Sequence, residues 1–345
     1  QYYGGPAYYI EQGLKKPKIA ALFCIFLIAT YAVGCNLLCS YNLQSTFMDY
    51  PFYNPSMTPA IIGLIIAIIT GYCLLGGGKR IVKVTGTIVP LMGVSYVIVA
   101  LIVILFNIGN VPSMFVLIFQ DAFDFRSIAG GIVGSCLVYG IKRGLFSNEA
   151  GVGSAPNAAA SADIDHPVKQ GLVQTLSVFI DTIVVCTATA FMCMTSGVTP
   201  PTTSAEAASY VQASLSVTLG GVGPIFITVA MVLFAFTTLL GNLFYVDKAI
   251  NYLLGKEPTK LVRNICYVVA SLIIFVGAGL SADMLWNIAD VLMGGMTIIN
   301  IPVILYLGKY AYRALGDYER KSKEGLKMTF RKKDIGLTDE TDYWN

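Results

Sequence analysis

Two adjacent threonines interrupt an apolar run between Phe234 and Gly241, and their hydroxyls are the first candidates for chemistry. In a lipid-embedded helix, a threonine hydroxyl often bonds to the backbone carbonyl four residues back. The alternative is a cation site, because the Thr237 and Thr238 hydroxyls, the Phe234 carbonyl and carbonyls of an unwound helix would form a cage of about five oxygen ligands. The residues alone leave both interpretations open.

Asp181 is the second candidate, because a charged side chain within an apolar segment costs about 2.5–3.5 kcal/mol on insertion scales. It could bind a cation or relay a proton, or it could be a structural carboxylate that accepts hydrogen bonds from neighbouring helices. Asn287 and Asp290 lie one turn apart in a later segment, near its outer end, where we expect a packing or gating role.

An early segment carries a polar stripe among apolar neighbours, in which residues 34, 38, 41 and 45 share one helix face. Such a stripe can line a cavity or join helices. A later apolar segment is short and interrupted by glycines, and a small-residue loop follows it up to Pro156. Because a bilayer tolerates irregular backbone only where it is buried in protein or lines a watery cavity, we interpret this broken segment as part of a binding site.

The composition indicates an integral membrane protein. Of 345 residues, 55% are hydrophobic and 12% are charged, whereas soluble domains carry roughly 25% charged residues. The net charge of +3 gives no sign of a nucleic-acid partner. The eight cysteines lie in apolar segments without metal-binding spacing, so we expect buried thiols. The single histidine, His166, has no catalytic companions, and we expect a structural role in its loop rather than an enzyme site. We also see no ring of like charges or repeated filter carbonyls of a channel.

Eight segments are long enough to cross a bilayer: 18–46, 58–77, 84–108, 128–145, 168–195, 223–246, 262–281 and 285–309. We expect residues 111–125 to form an interfacial helix on the outer side. If successive loops alternate sides, 22 of the 23 basic residues lie on one face, Lys142 and Arg143 among them, and Arg126 lies opposite. The positive-inside rule makes that face cytoplasmic. We therefore divide the chain into a transmembrane domain over residues 1–312 and a basic cytoplasmic tail over residues 313–345, which we expect to contact anionic lipid.

The run from Arg143 to Pro156 closely resembles a signature of the sodium:alanine symporter family, the alanine or glycine:cation symporters. Residues 166–173, 178–182 and 186–190 continue the resemblance, and Gly4 to Glu11 match the family's loop before the first span. Residues 234–241 and 285–290 fit its later helices. The similarity covers the chain except for its tail.

The resemblance implies an all-α, leucine-transporter-like fold, in which five helices are repeated with inverted topology and the first helix of each repeat is broken. On that mapping the first three spans end the first repeat, and 128–309 forms the second. Span 128–145 is then the second broken helix. We expect at least two further helices before Gln1, including the first broken helix, so that this chain alone would not transport.

The resemblance also assigns site residues. Phe234, Thr237 and Thr238 match sodium ligands, and the expected unwound point of the broken helix supplies substrate contacts from Gly134, Ser135 and Cys136. We expect Asn148 and Glu149 to organise the inner gate. The early segment departs from the family pattern with Cys35, Leu37, Leu38 and Cys39 where Asn and Gln are frequent, for which Asn36 and Asn42 could compensate.

The predicted function is therefore secondary active transport of a small neutral amino acid, alanine or glycine, into the cell with Na⁺ as the coupling ion and no other cofactor. The protein would lie in the plasma membrane with a cytoplasmic C-terminus. The alternative within transporters is proton coupling through Asp181.

Overall fold

The computed structural model describes residues 4–75, 77–122, 132–337 and 344, and within them the regular structure is entirely helical. We number the helices along the chain as α1 Pro6–Leu14, α2 Pro17–Ser45, α3 Thr58–Leu75, α4 Gly77–Phe106, α5 Val111–Ala122, α6 Ile132–Asn148, α7 Ala155–Ala159, α8 Pro167–Thr195, α9 Ala207–Leu219, α10 Val222–Leu254, α11 Lys260–Gly277 and α12 Ala282–Lys323.

Seven of the described helices are long and apolar enough to cross a membrane: α2, α3, most of α4, α8, α10, α11 and α12. They correspond to seven of the eight predicted spans. The eighth, 128–145, begins outside the described residues and continues as α6. The predicted interfacial segment contains α5, which follows a short 3₁₀ turn at Ile108–Asn110.

The break expected at Gly134, Ser135 and Cys136 is absent, because α6 is continuous from Ile132 to Asn148. A single glycine among helix-compatible apolar residues costs a helix only about 1 kcal/mol relative to alanine, so Gly134 does not end it. The described backbone becomes irregular after Asn148 instead.

Two spans contain one turn of π-helix, which interrupts the regular i to i−4 hydrogen bonding. The turn in α2 covers Ala29–Gly34, and the turn in α8 covers Ile180–Cys186 and includes Asp181. Such turns frequently lie at functional sites because they redirect the side chains that follow them.

Helix α10 lies at the centre of the packing and contacts α2, α4 and α9, while α11 packs against α2 and α3. Small residues permit close approach of the helices. A Cβ atom added at Gly277 would lie 2.6 Å from the backbone of Leu37, so α11 and α2 touch there without an intervening side chain.

The segment from Gly4 to Glu11, expected as a loop before the first span, is largely helical. Pro6 begins α1 at a position where its missing N–H costs no hydrogen bond. Ile10 is fully buried, and the Tyr252 hydroxyl donates to Glu11 Oε2 at 2.7 Å. Tertiary contacts with α2 and α12 hold this short helix in place.

Much of the predicted basic tail is folded. Helix α12 continues to Lys323, past the predicted boundary at 312. The chain then turns back, and Phe330 and Ile335 are buried. Lys321 Nζ donates to Asp317 Oδ2 at 2.6 Å, to the Thr329 carbonyl at 2.8 Å and to Asp334 Oδ2 at 2.6 Å, which fixes the returning segment on α12.

Candidate transport site

A cavity of about 220 Å³ lies between α2, the end of α6, α10 and α12. Its wall combines aromatic and aliphatic side chains with a few polar groups, the pattern of a small-molecule site. The lining residues are Cys35, Leu38, Cys39, Asn42, Phe146, Glu149, Met231, Phe234, Ala235, Thr238, Asn242 and Trp286.

A second cavity, of about 180 Å³ between α2, α10 and α11, is a weaker candidate for a polar ligand. Its wall is almost wholly apolar, and its charged groups, Asp247 and Arg263, already pair with each other at 3.5 Å. The first cavity is therefore the candidate site.

The adjacent threonines of α10 face different directions, as expected for neighbours in a helix of 3.6 residues per turn. Thr238 lines the cavity together with Phe234. The Thr237 hydroxyl is buried and donates to the Leu233 carbonyl at 3.0 Å and to the Phe234 carbonyl at 3.1 Å. Thr237 therefore makes the bond to its own helix, and Thr238 is the hydroxyl left facing the cavity.

Asn36, expected to contact substrate, does not line the cavity. It is fully buried, and its Oδ1 accepts a hydrogen bond of 2.9 Å from Asn242 Nδ2, while its own amide faces the Ala32 carbonyl at 3.4 Å. Asn242 does line the cavity. Asn36 thus supports a wall residue from behind, and Asn42, two turns further along α2, reaches the wall itself.

Glu149 enters the cavity from a tight turn that follows α6. Its φ of 54° is in the left-handed region, and Gly151 and Gly153 follow with φ of 87° and 97°. Asn148 Oδ1 accepts from the Ala150 amide at 2.9 Å, and the Val152 amide donates to the Glu149 carbonyl at 3.1 Å. The backbone of this turn therefore sets the direction of the Glu149 side chain.

The turn is packed against α2 and α12. Asn300 Nδ2 donates to the Gly151 carbonyl at 2.9 Å. A Cβ atom at Gly153 would lie 2.9 Å from Phe23 and 3.0 Å from Asn300, so only glycine fits there without a shift. On the cavity side, the Ser154 hydroxyl donates to Glu149 Oε2.

Two basic residues of α6 pair with a carboxylate of α12 beside the cavity. Arg143 donates through Nη1 and Nη2 to the two oxygens of Asp290, at 3.2 and 3.1 Å, and Lys142 Nζ lies 2.5 Å from Oδ2. The Arg143 guanidinium also stacks on the ring of Trp286 at 4.1 Å. Lys142 and Arg143 were expected on the cytoplasmic face, and Asp290 near the outer end of its span. Residues in contact lie at the same depth in the membrane, so one of these two expectations is wrong.

The sequence profile of the sodium:alanine symporter family matches residues 1–332. The chain belongs to that family. It is 37% identical over 341 residues to the amino-acid carrier protein AlsT of Bacillus subtilis, covering 99% of this chain and 71% of that protein. It is 39% identical over 330 residues to the probable sodium/glutamine symporter GlnT of the same organism, covering 95% and 67%.

A third relative, the sodium/alanine symporter AgcS of Methanococcus maripaludis, is 40% identical over 309 residues, covering 88% of this chain and 66% of AgcS. Membership of a symporter family, together with seven candidate spans, makes the chain a multi-pass membrane protein of a transporter family and not of an enzyme family. The predicted leucine-transporter-like arrangement, with its missing first helices, stays a prediction.

In this family member Asp181 lies outside the cavity wall and within a hydrogen-bonded cluster. Its Oδ2 accepts from the Ser147 hydroxyl, and the Thr182 hydroxyl lies 3.5 Å from the same oxygen. Asn148 Nδ2 donates to Thr182 Oγ1 at 2.9 Å. The cluster joins the end of α6 to the π-helical turn of α8. These hydrogen bonds fit a structural carboxylate, and the predicted cation or proton role of Asp181 stays a prediction.

Gly134, Ser135 and Cys136 lie in the first turns of α6, and their side chains are outside the described part of the structure. The substrate contacts predicted for them stay a prediction.

His166 has a structural environment, as expected. It is fully buried between the rings of Tyr318 and Phe330 and accepts a hydrogen bond from the Val168 amide at 3.3 Å, which caps α8. Its Nε2 faces Asp317 Oδ2 at 3.4 Å. Burial lowers the pKa of His166, and this effect exceeds the opposing influence of Asp317.

Sequence reasoning missed Trp286 and Phe146 as cavity residues and did not place Glu149 on the cavity wall. Phe146 packs on Trp286 with ring centroids 5.1 Å apart, so the two rings form one side of the wall. An aromatic residue in an apolar segment gives no sequence signal of the cavity that it will face. The paired glycines after Glu149 were the available signal for an unusual backbone at that point.

Proposed function

We propose that this protein imports a small neutral amino acid, alanine or glycine, together with Na⁺, across the plasma membrane. The observation that carries the proposal is the polar and aromatic cavity between α2, α6, α10 and α12, in a chain of the sodium:alanine symporter family. Relatives named as sodium/alanine and probable sodium/glutamine symporters support the same class of cargo.

The size and lining of the cavity support a small substrate. Its volume of about 220 Å³ is below the roughly 300–1,000 Å³ of pockets for drug-sized ligands. Phe146 and Trp286 give it an apolar side suited to a short side chain. Asn42, Thr238 and Asn242 offer neutral polar groups that can hydrogen-bond a zwitterion without trapping it.

We assign the sodium ion to the wall formed by α10. The Thr238 hydroxyl and the Phe234 carbonyl are hard oxygen donors of the kind that alkali cations choose. Thr237 acts through Phe234, because its hydroxyl donates to the Phe234 carbonyl and fixes the turn of the helix.

The substrate contacts predicted for Gly134, Ser135 and Cys136 of α6 are part of the same proposal.

In the proposed mechanism, Na⁺ stabilises an outward-open state, the amino acid closes the outer side, and both leave towards the cytoplasm, where the C-terminus also lies. Coupling requires that each ligand raise the affinity of the other by the same factor. The Asn148–Glu149 turn is well placed to respond to the binding of these ligands, because it joins α6 to the packed loop before α7.

Uptake of radiolabelled alanine into proteoliposomes, with and without an inward Na⁺ gradient, tests the proposal. We expect uptake to depend on the gradient, and Thr238→Val to reduce its apparent Na⁺ affinity at least about tenfold by removing one ligand. Thr297→Val is the matched control, because the Thr297 hydroxyl donates to the Met293 carbonyl of its own helix at 2.8 Å and does not line the cavity.

The same assay tests the proton-coupled alternative. It predicts uptake that follows a pH gradient in the absence of Na⁺ and that collapses in Asp181→Asn. Uptake that ignores Na⁺ and responds to the pH gradient would replace the sodium proposal. One relative is named a sodium/proton-dependent alanine carrier protein and another a putative one, which makes this arm of the experiment necessary.

A further inference from the structure

We propose that the carboxylate of Glu149 binds the α-ammonium group of the transported amino acid. The inference rests on the proposed function and deepens it, since the family resemblance placed Glu149 at an inner gate and not at the substrate.

The charge of the cavity points to a cationic ligand group at this residue. Glu149 is the one acidic residue that lines the cavity, and no basic side chain lines it, among the residues that the structure describes. The remaining polar lining consists of hydroxyl, amide and thiol groups, which are neutral donors or acceptors. A zwitterion in this cavity therefore meets an acidic group at a single position on the described wall.

Glu149 has no basic partner in the described part of the chain, as is also true of Asp181, whereas three other buried or partly buried carboxylates have one. Asp290 pairs with Lys142 and Arg143, Asp247 pairs with Arg263, and Asp317 pairs with Lys321. None of the ion pairs between described residues includes Glu149. Because a charge removed from water is costly unless it is paired, a bound ammonium would satisfy a group that the protein leaves incomplete.

The backbone supports the same assignment. At a helix end in the left-handed conformation glycine is the residue of lowest strain, and the chain uses glycine two and four residues later. It nevertheless carries a glutamate at φ 54°. Strained positions of this kind cluster at functional sites. Lys15 has a similar φ at the end of α1, but Glu149 is the strained residue that lines the cavity.

The neighbours of Glu149 hold the carboxylate and leave it able to accept. Ser154 donates a hydrogen bond to Oε2 and the Tyr31 hydroxyl also lies beside the carboxylate, whereas a carboxylate has about four lone-pair sites. Asn300 anchors the turn to α12 through the Gly151 carbonyl. A primary ammonium, with three donors, fits an acceptor that is fixed and only partly used.

The test compares alanine with lactate, which replaces the ammonium by a hydroxyl and keeps the carboxylate and the methyl group. Binding of radiolabelled alanine to the purified protein in saturating Na⁺ is competed with unlabelled alanine and lactate. In Glu149→Gln we expect alanine affinity to fall about ten- to a hundredfold, as for loss of a hydrogen bond between charged groups, while lactate affinity stays within about threefold. The preference for alanine over lactate therefore shrinks by at least tenfold.

Glu11→Gln is the matched control, because Glu11 accepts from Tyr252 away from the cavity, and its alanine-to-lactate preference should equal that of the wild type. If Glu149→Gln is not recovered folded, the same ratio is read in Glu149→Asp, which keeps the charge but retracts it. A smaller drop in preference is then expected, and an unchanged preference would overturn the proposal.

Equal losses for alanine and lactate in Glu149→Gln would assign the residue a structural role and overturn the inference. A weaker Na⁺ dependence with an unchanged preference would overturn it in favour of sodium binding at Glu149. Absence of Na⁺-dependent alanine binding in the wild type would overturn the proposed function and this inference together. Na⁺-dependent binding in the wild type with an unchanged alanine-to-lactate preference in Glu149→Gln would overturn the inference alone.

Discussion

Arg143 of α6 and Asp290 of α12 form a bidentate ion pair immediately beside the cavity, with both guanidinium–carboxylate distances between 3.1 and 3.2 Å. Trp286, one turn before Asp290, presents its ring to the same guanidinium and also lines the cavity. The pair therefore ties the aromatic side of the site to α6, and its planar geometry is one that lysine cannot reproduce.

Asp290→Asn is expected to lower the stability of the protein by about 1–3 kcal/mol. The Asp290 side chain is 11% exposed, while Lys142 and Arg143 are 37% and 35% exposed, so the loss is smaller than for a fully buried pair. Thermal unfolding in detergent measures the effect. Glu319→Gln, an exposed position of the same helix, is the control and should change stability by less than about 0.5 kcal/mol. Equal melting temperatures for the two variants would refute the role of the pair.

Asn36 and Asn42 lie on the same helix and are expected to separate stability from binding. Asn36→Leu leaves the buried Asn242 amide without its acceptor, which should cost about 1–3 kcal/mol. Asn42→Leu changes a residue of the cavity wall, so it should weaken alanine binding with little change in melting temperature. Melting curves and alanine affinities of both variants check this prediction. A reversed pattern, in which Asn42 governs stability and Asn36 governs affinity, would show that the wall has been assigned wrongly.

The contact between the C-terminal segment and the loop before α8 is expected to weaken at low pH. Burial holds the pKa of His166 below its ordinary value, so folding disfavours the protonated ring. Asp317, Lys321 and Lys169 are the charged groups that face it. The stabilisation is thus present above about pH 6.5, the ordinary histidine value, and is lost as the pH falls towards the lowered pKa.

Hydrogen exchange of residues 326–337 at about pH 7.5 and about pH 5.5, corrected for intrinsic rates, measures this effect. We expect faster opening at the lower pH. His166→Asn keeps an N-capping acceptor without a titrating ring, so its protection should change less with pH. Protection that rises on acidification of the wild type would contradict the sign of the pKa shift.

The spans could be predicted from the sequence because hydrophobicity adds up locally over about 20 residues. The helix Pro6–Leu14 and the folded segment around Phe330 could not, because each depends on contacts with residues far along the chain. The threonine pair shows an intermediate case. Helical periodicity alone implies that Thr237 and Thr238 face different directions, but not which of them faces a cavity.

The direction of Glu149 lies beyond sequence reasoning for a physical reason. It depends on the left-handed backbone at that residue and on the packing of Gly153 against Phe23 and Asn300. Glycines near a helix end indicate a turn, but the side of the helix to which the turn leads is decided by the partners on α2 and α12. The contact of Arg143 is likewise beyond sequence reasoning, because its partner Asp290 is 147 residues away along the chain.

The affinity of the purified protein for alanine, measured in Na⁺ and again with choline replacing Na⁺, tests the central claim of coupled transport most directly. Coupling free energies of the usual size predict binding about five- to 150-fold tighter in Na⁺. Thermodynamic reciprocity predicts that saturating alanine raises the affinity for Na⁺ by the same factor. Equal alanine affinity in the two salts would contradict sodium coupling.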